Sequence, residues 1–407
     1  MKRIGMRWTW RAAAVLVLGS AAPAALAQDD GKPKTLVEDM NPRAPSTPLD
    51  IKLAPYWCPI CIKDGKIPAA PPPDVKDGEL QMMHRPVSTV VKQVEVTETW
   101  MAIQTPHFKI LSTLGPANIK FADSLYCKAD IERLKTITPK ITFLPDGVHL
   151  DAHQRLHLYH CRLEREYTHF SALTGNTQPN LGMEAPYEVY LFSDYTNHHN
   201  LCDRYIGGRQ DKGGVQWHIQ DSPRFMLFTC SESMSATLNG KGDGILSNHV
   251  FHNVAHIMMD GYNSYIRETP AWLEEGIGHY YERRENPRWN NFCWAEGAAP
   301  RDFQKPDWET TIFSLVRRDR DKDPAFSTWC ELLQPGEMTG VENGLSWGVV
   351  KWMIDTEPLR FTKMIEKMDD LKLNMRSADM IQEGFGVTPS VLYQRWREYV
   401  VANWGGK

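Results

Sequence analysis

The sequence of 407 residues has no excess of one charge: 46 basic residues stand against 50 acidic ones, a formal net charge of -4. It has no basic tract, and its pI is near 6.4, so it carries no electrostatic footprint for nucleic acid, and that class of partner is excluded. Beyond residue 27 no apolar run approaches the ~18 residues that a membrane span needs. No internal repeat is visible. Apolar matter is not scarce, however. With 42% hydrophobic residues and 14 tryptophans the chain can bury a sizeable core, which excludes a disordered or fibrous protein.

The first residues read as a secretory signal peptide. Lys2, Arg3, Arg7 and Arg11 supply positive charge with no acid among them, Ala12 to Ala25 is apolar, and Ala25-Leu26-Ala27 fits a small-residue cleavage site. Residues 1–27 are therefore expected to be removed after Ala27, and the protein to be exported to a periplasm or outside the cell. No cysteine follows the cleavage site, so no lipid anchor is indicated.

All eight cysteines lie beyond residue 27, and an even count in an exported chain favours disulfides, whose pairing cannot be read from sequence. Cys58-Pro59-Ile60-Cys61 stands apart. It is either half of a metal site or a disulfide. A zinc ribbon would need a second Cys-x-x-Cys, which is lacking, and the proline-rich surroundings do not read as a thioredoxin unit.

Residues 28–95 are rich in proline and charge and read as an arm or linker. Strands are expected from Trp100, from Phe108, over Tyr187–Phe192 and over Arg224–Thr229. Helices are expected over Asp151–Leu173, Ser247–Gly261 and Ala271–Arg284, and through most of the chain beyond Thr310. The pattern is that of an α+β fold, with a strand-rich first half and a helical second half.

The sharpest chemical feature is His252-Asn253-Val254-Ala255-His256. Two histidines four apart share a helix face and can hold one metal. The spacing alone is weak, since His149, His153 and His157 repeat it; that stripe reads as a solvated helix face. Context separates the two. After His256 come 18 residues and then Glu275, inside Pro270-Ala-Trp-Leu-Glu-Glu-Gly-Ile-Gly-His-Tyr-Tyr-Glu282. Two imidazoles and a carboxylate with an open fourth position make the donor set of catalytic zinc.

With these motifs the chain resembles the gluzincin metallopeptidases, and among them the exported "peptidase MA-like" proteins. Their pattern is His-Glu-x-x-His, then Trp-Leu-x-Glu-Gly-x-Ala-x-Tyr; Trp272, Leu273, Gly276 and Tyr280 match it. Ser346-Trp347 and Gly384-Phe-Gly-Val-Thr-Pro with Trp396 resemble the family's later helices, so the likeness covers residues 96–407. It implies zincin-type site helices with a Zn²⁺ held by His252, His256 and Glu275, and an edge strand, matched here by Arg224–Thr229, along which peptide is laid.

The departures carry as much weight. Asn253 stands where the family has its general-base Glu, and an amide has no lone pair basic enough to take a proton from water. Glu274, next to the ligand, is expected on another helix face. Asn343 falls where relatives have an oxyanion-binding Tyr. His279, four residues after Glu275, is a candidate to orient that ligand or to add a fourth, and His249 a candidate for a further contact.

The leading reading is an exported zinc-binding pseudopeptidase that binds a peptide or protein, with Trp217, Trp272, Trp289, Trp294 and Trp347 as candidates to line its groove. The alternatives are an active zinc hydrolase using another base, His279 or His249 first, and a structural exported protein without metal. Oligomeric state is not legible.

Overall fold

The computed structural model describes residues 56–67, 100–176, 181, 185–206, 214–219, 224–232, 242–263, 269–292, 296, 299–318, 326–369 and 376–405. All belong to one unit, residues 36–407. The expected signal peptide and most of the expected arm lie outside the described residues.

The fold is α+β. Among the described residues eight strands lie between Met101 and Cys230, and from Asp243 onward the elements are helical. The larger sheet has the order β1-β2-β6-β8-β7. Its strands are β1 (Met101–Gln104), β2 (Phe108–Ser112), β6 (Tyr187–Phe192), β7 (Gly214–Ile219) and β8 (Arg224–Cys230). β2, β6 and β8 run parallel to one another, while β1 and β7 are antiparallel flanks. The expected edge strand Arg224–Thr229 is thus corrected: β8 is paired on both sides, and the edge is β7. The continuous burial of β2 and β6 follows from their interior, parallel position. A second antiparallel sheet joins β3 (Ala117–Lys120), β5 (Gly147–Leu150) and β4 (Thr142–Leu144).

From the expected arm, a short helix α1 (Pro59–Lys63) is described. It is preceded by Trp57, whose backbone pairs with Gln104 on the outer edge of β1 at 2.7 and 2.9 Å. After α2 (Cys127–Ile137) comes the long α3 (Ala152–Thr174). Asp151 caps α3 by accepting from the Gln154 amide at 2.8 Å, and Gly175 ends it at φ 66°, a left-handed conformation that suits glycine. α4 (Tyr195–Ile206) follows β6.

Two helices form the centre. In α5 (Asp243–Tyr262) every residue but His249 and Asp260 is buried, and in α6 (Ala271–Glu285) every residue but Glu274. α6 packs between α5 and α9 (Gly340–Thr356). The later described helices are α7 (Trp308–Arg318), α8 (Phe326–Trp329), α10 (Pro358–Glu366), α11 (Ser377–Phe385) and α12 (Pro389–Asn403). Among the described residues none of the helices is long and apolar enough to cross a membrane.

A helix buried on all sides must find partners for each of its charges. Part of the charge on α5 and α6 is met by arginines of α3. Asp243 receives Arg155 at 3.1 Å, Arg162, and the Tyr159 hydroxyl at 3.2 Å; Glu285 receives Arg165 at 2.6 Å; Glu166 receives Arg284 at 3.3 Å. Burial opposes the charge of Asp243, but Arg162 and Arg155 hold its carboxyl below the usual range. These pairs lock the two site helices to α3.

Two further expectations are corrected here. The seven described cysteines, 58, 61, 127, 161, 202, 230 and 330, are buried and form no disulfide with one another, and Cys293 lies outside the described residues. The disulfides inferred from an even count are therefore not found among them. Trp272 and Trp347 are core rather than groove: Trp272 packs on Phe326 and donates to Ser377, and Trp347 packs on Trp308 and Trp404. Trp289 is half-buried. Trp294 and the Trp217 side chain lie outside the description.

Candidate metal centre

α5 presents His252 and His256, one turn apart, with ring centroids 4.6 Å from each other. α6 crosses above them and brings Glu275 between. Glu275 Oε2 lies 3.4 Å from His252 Nε2 and 3.7 Å from His256 Nε2. Donor atoms bound at the usual zinc distances in tetrahedral geometry stand about 3.3–3.5 Å apart. The three predicted residues thus fit one ion, and as a set they can hold a metal.

The crossing is this close because of Gly278. A Cβ at that position would lie 2.4 Å from His256 Nε2 and 3.0 Å from His252 Cε1. Gly276 lets α6 approach α9 in the same way, since a Cβ there would meet Val350 at 2.5 Å. The two glycines of Glu-Gly-Ile-Gly are spaced to pass one neighbour each.

The protonation states suit ligation. Burial, which disfavours the charged ring, pushes His256 down to about 3, so it is neutral at pH 7. His252 Nδ1 faces Glu282 Oε2 at 3.3 Å, which leaves Nε2 turned to Glu275. A carboxylate behind a ligating histidine fixes its tautomer and orientation. Glu282 also accepts from the Asn291 amide at 3.2 Å and from His279 Nδ1 at 2.9 Å. Burial works against its charge, but the His279 cation and its hydrogen bonds bring it down to about 2.

His279 does not point into the site as a spare donor. Its Nε2 meets Glu296 at 2.9 Å while its Nδ1 meets Glu282. Burial alone would lower its pKa, but Glu296 and Glu282 overcome that and raise it to about 9. It is an imidazolium clamped by two carboxylates, its ring edge-on to His252 at 4.9 Å. Other groupings of His279 with Glu282 or Glu296 also bring donors within 4.8 Å, but both its nitrogens are already engaged.

Asn253 turns toward the edge strand. Its Nδ2 donates to the His249 carbonyl at 2.8 Å and its Oδ1 accepts from Gln216 Nε2 of β7 at 2.9 Å. Gln216 Nε2 is also 3.1 Å from His256 Nδ1. Gln216 therefore ties the edge strand to Asn253 and to His256. His249 lies over Gly214 of β7, where a Cβ would sit 2.1 Å from its Nε2, and burial takes it down to about 3. It belongs to the Asn253 side of the site rather than to the ligand cluster. Glu274, expected to face elsewhere, comes within 3.7 Å of His256 Nδ1, on the ring edge away from Glu275. Asn343 is fully buried, and neither of its side-chain amide atoms has a hydrogen-bond partner among the described residues.

Sequence reasoning missed Gln216, Glu282 and Glu296. Glu282 was within reach: it follows Glu275 by seven residues, two turns on the same face. Gln216 and Glu296 carried no local signal.

A second cluster was read differently from sequence. His153 and His157 are not on a solvated face. His157 is fully buried, and both rings face Cys58 and Cys61. His149 lies on β5, exposed and bonded to Asn118 at 2.7 Å. Compared with models of protein families and with curated proteins, the chain matches none.

Proposed function

We propose that this chain is an exported zinc-binding protein of gluzincin type that has lost peptide hydrolysis and binds an extended peptide or protein segment. The observation that carries the reading is the convergence of His252 Nε2, His256 Nε2 and Glu275 Oε2, with an amide, Asn253, at the base position. Two neutral imidazoles and a carboxylate suit Zn²⁺. Bound there, zinc would lower the pKa of a coordinated water. What the chain lacks is a base to use it.

The candidates for a replacement base are poorly disposed. His279 is held as a cation by Glu282 and Glu296, and His249 is packed against β7 beside Asn253. Glu274 approaches the outer nitrogen of His256. None of these supports the active-hydrolase reading. Peptide capture needs no base. An edge strand offers main-chain donors and acceptors to an added strand, and β7 is paired only with β8 among the described residues. Gln216 makes that edge part of the metal centre's surroundings.

Elemental analysis of the purified protein, combined with assays on casein and a peptide library, tests the proposal. Zinc that is lost in His252→Ala and in Glu275→Ala, without chelator-sensitive hydrolysis by the natural sequence, is expected. Zinc retained in full by both variants removes the site; chelator-sensitive hydrolysis removes the pseudoenzyme.

A further inference from the structure

Cys58 and Cys61 sit at the start of α1. Cys58 is the residue before the helix, Pro59 opens it, and the Ile62 amide donates to the Cys58 carbonyl at 3.0 Å. One helical turn sets the two thiols three residues apart on the same side. The chain then closes on itself: the Lys66 amide donates to the Cys61 carbonyl at 2.8 Å, and Gly65 takes a left-handed φ of 69°. Opposite stand His153 and His157, one turn apart at the start of α3 and more than ninety residues further along the chain.

The four donors face inward. Cys58 Sγ is 3.3 Å from His153 Nε2, Cys61 Sγ is 3.5 Å from His153 Nε2 and 3.3 Å from His157 Nε2, and the two Nε2 atoms are 3.1 Å apart. Tetrahedral zinc with two sulfur and two nitrogen ligands sets its donors about 3.4–3.8 Å from one another. These four separations lie within a few tenths of an ångström of that spacing, all four donors lie within 4.8 Å of one another, and Cys58, Cys61 and His157 are fully buried.

Thiols and neutral imidazoles attract one another only weakly, so mutual hydrogen bonding is a poor reason for burying four of them tip to tip. The segment they hold also needs an external anchor. A five-residue helix does not stand alone in water. Besides the Trp57 pairing with β1, the contacts of Tyr56 with His157 and His160, and the packing of Ile60 and Ile67 on the core, this thiol–imidazole cluster ties it to α3.

We propose that Cys58, Cys61, His153 and His157 form a second metal site, a closed Cys2His2 zinc site that fastens the 56–67 segment to α3 and the β1 edge. With four protein ligands no position remains for water, which makes the site structural. The thiols release their protons when the metal binds. The site is independent of His252, His256 and Glu275 and stands whether or not these bind metal.

Zinc-edge X-ray absorption on the full chain, purified without added reductant or chelator, distinguishes the two sites. Only this cluster contains sulfur, so a zinc–sulfur shell near 2.3 Å is its signature. The shell is expected in the natural sequence and in His252→Ala. It is expected to vanish in the Cys58→Ser/Cys61→Ser double variant, with loss of about one equivalent of zinc. If the double variant does not fold, the natural protein still decides. Zinc bound with nitrogen and oxygen only overturns the proposal and leaves the His252 site standing, whereas a sulfur shell alone does the reverse. A mass two units low from a Cys58–Cys61 disulfide in the zinc-loaded protein also overturns it.

Discussion

Glu282 Oε2 stands 3.3 Å from His252 Nδ1 while Glu275 Oε2 stands 3.4 Å from the Nε2 of the same ring. The two carboxylates are seven residues apart on α6, so one helix face grips the imidazole of α5 from both sides. One carboxylate competes for the metal-facing nitrogen and the other fixes the ring. Glu282 is thus placed to position His252 in the proposed site.

Glu282→Gln is predicted to weaken metal binding about 10–100-fold, the usual cost of losing such a partner, without abolishing it. His252→Ala removes a donor and should abolish it. Competition with a zinc chelator measures the difference; equal losses in both variants would remove the distinction between ligand and positioning residue.

Gly278→Ala is predicted to lower metal content with the fold retained. The added methyl would meet the His256 ring at 2.4 Å, so the ring or the helix must shift. Circular dichroism should be close to that of the natural sequence while zinc per chain falls. Normal zinc content would show that α5 and α6 can part at no cost to the site.

The lock on α3 is predicted to be a main source of stability. Arg162 is fully buried and bonded to Asp243, so Arg162→Met leaves a buried carboxylate short of its cation, at a cost of about 3–5 kcal/mol. The sign of its pH dependence follows from Asp243. Its folded pKa is depressed, so the natural protein keeps this contribution above the unfolded carboxylate range and loses it as pH falls. Urea unfolding of the two proteins should accordingly differ more at pH 7 than at pH 3.

Asp260 runs the other way. Half-buried in the last turn of α5, it is raised by desolvation to about 7. A carboxyl whose folded pKa is raised supports the fold fully below its unfolded pKa, near 3.9, and loses that support as pH rises through about 7. Asp260→Asn is predicted to raise Tm at pH 8 and to change it little at pH 3.5. A gain of equal size at both pH values would assign the effect to something other than this proton.

The legible part of the molecule was what local pattern encodes. The grouping of His252, His256 and Glu275, the helices α3, α5 and α6 and the α+β division all followed from periodicity and spacing. The identity of the edge strand did not, because β7 and β8 are adjacent in sequence and only pairing with β6 decides which is interior. The His153–His157 stripe was misread for a related reason. Its partners, Cys58 and Cys61, are more than ninety residues away, and nothing local tells a histidine on a polar face from one that meets a thiol. Helices α5 and α6 carried the plainest signal, charged residues in segments otherwise apolar, and several of these charges, Asp243, Glu275, Arg284 and Glu285 among them, meet long-range partners.

The activity test turns on Asn253. Its amide donates to the His249 carbonyl and accepts from Gln216, so it fills the base position with a neutral group tied to the edge strand. Asn253→Glu loses the first bond but keeps an acceptor for Gln216, whose Nε2 lies 3.1 Å from His256 Nδ1, so a carboxylate is added next to the proposed ligands. If the base is the only missing part, peptide turnover is expected to rise by ~10²-fold or more over the natural sequence. A missing oxyanion donor costs a further ~10²–10³-fold, so a small gain would point to the position of Asn343, where the resemblance calls for a tyrosine. Asn253→Glu/Asn343→Tyr should then exceed either single variant. Zinc bound in all three proteins with no turnover in any would count against a site that is one or two residues from a peptidase.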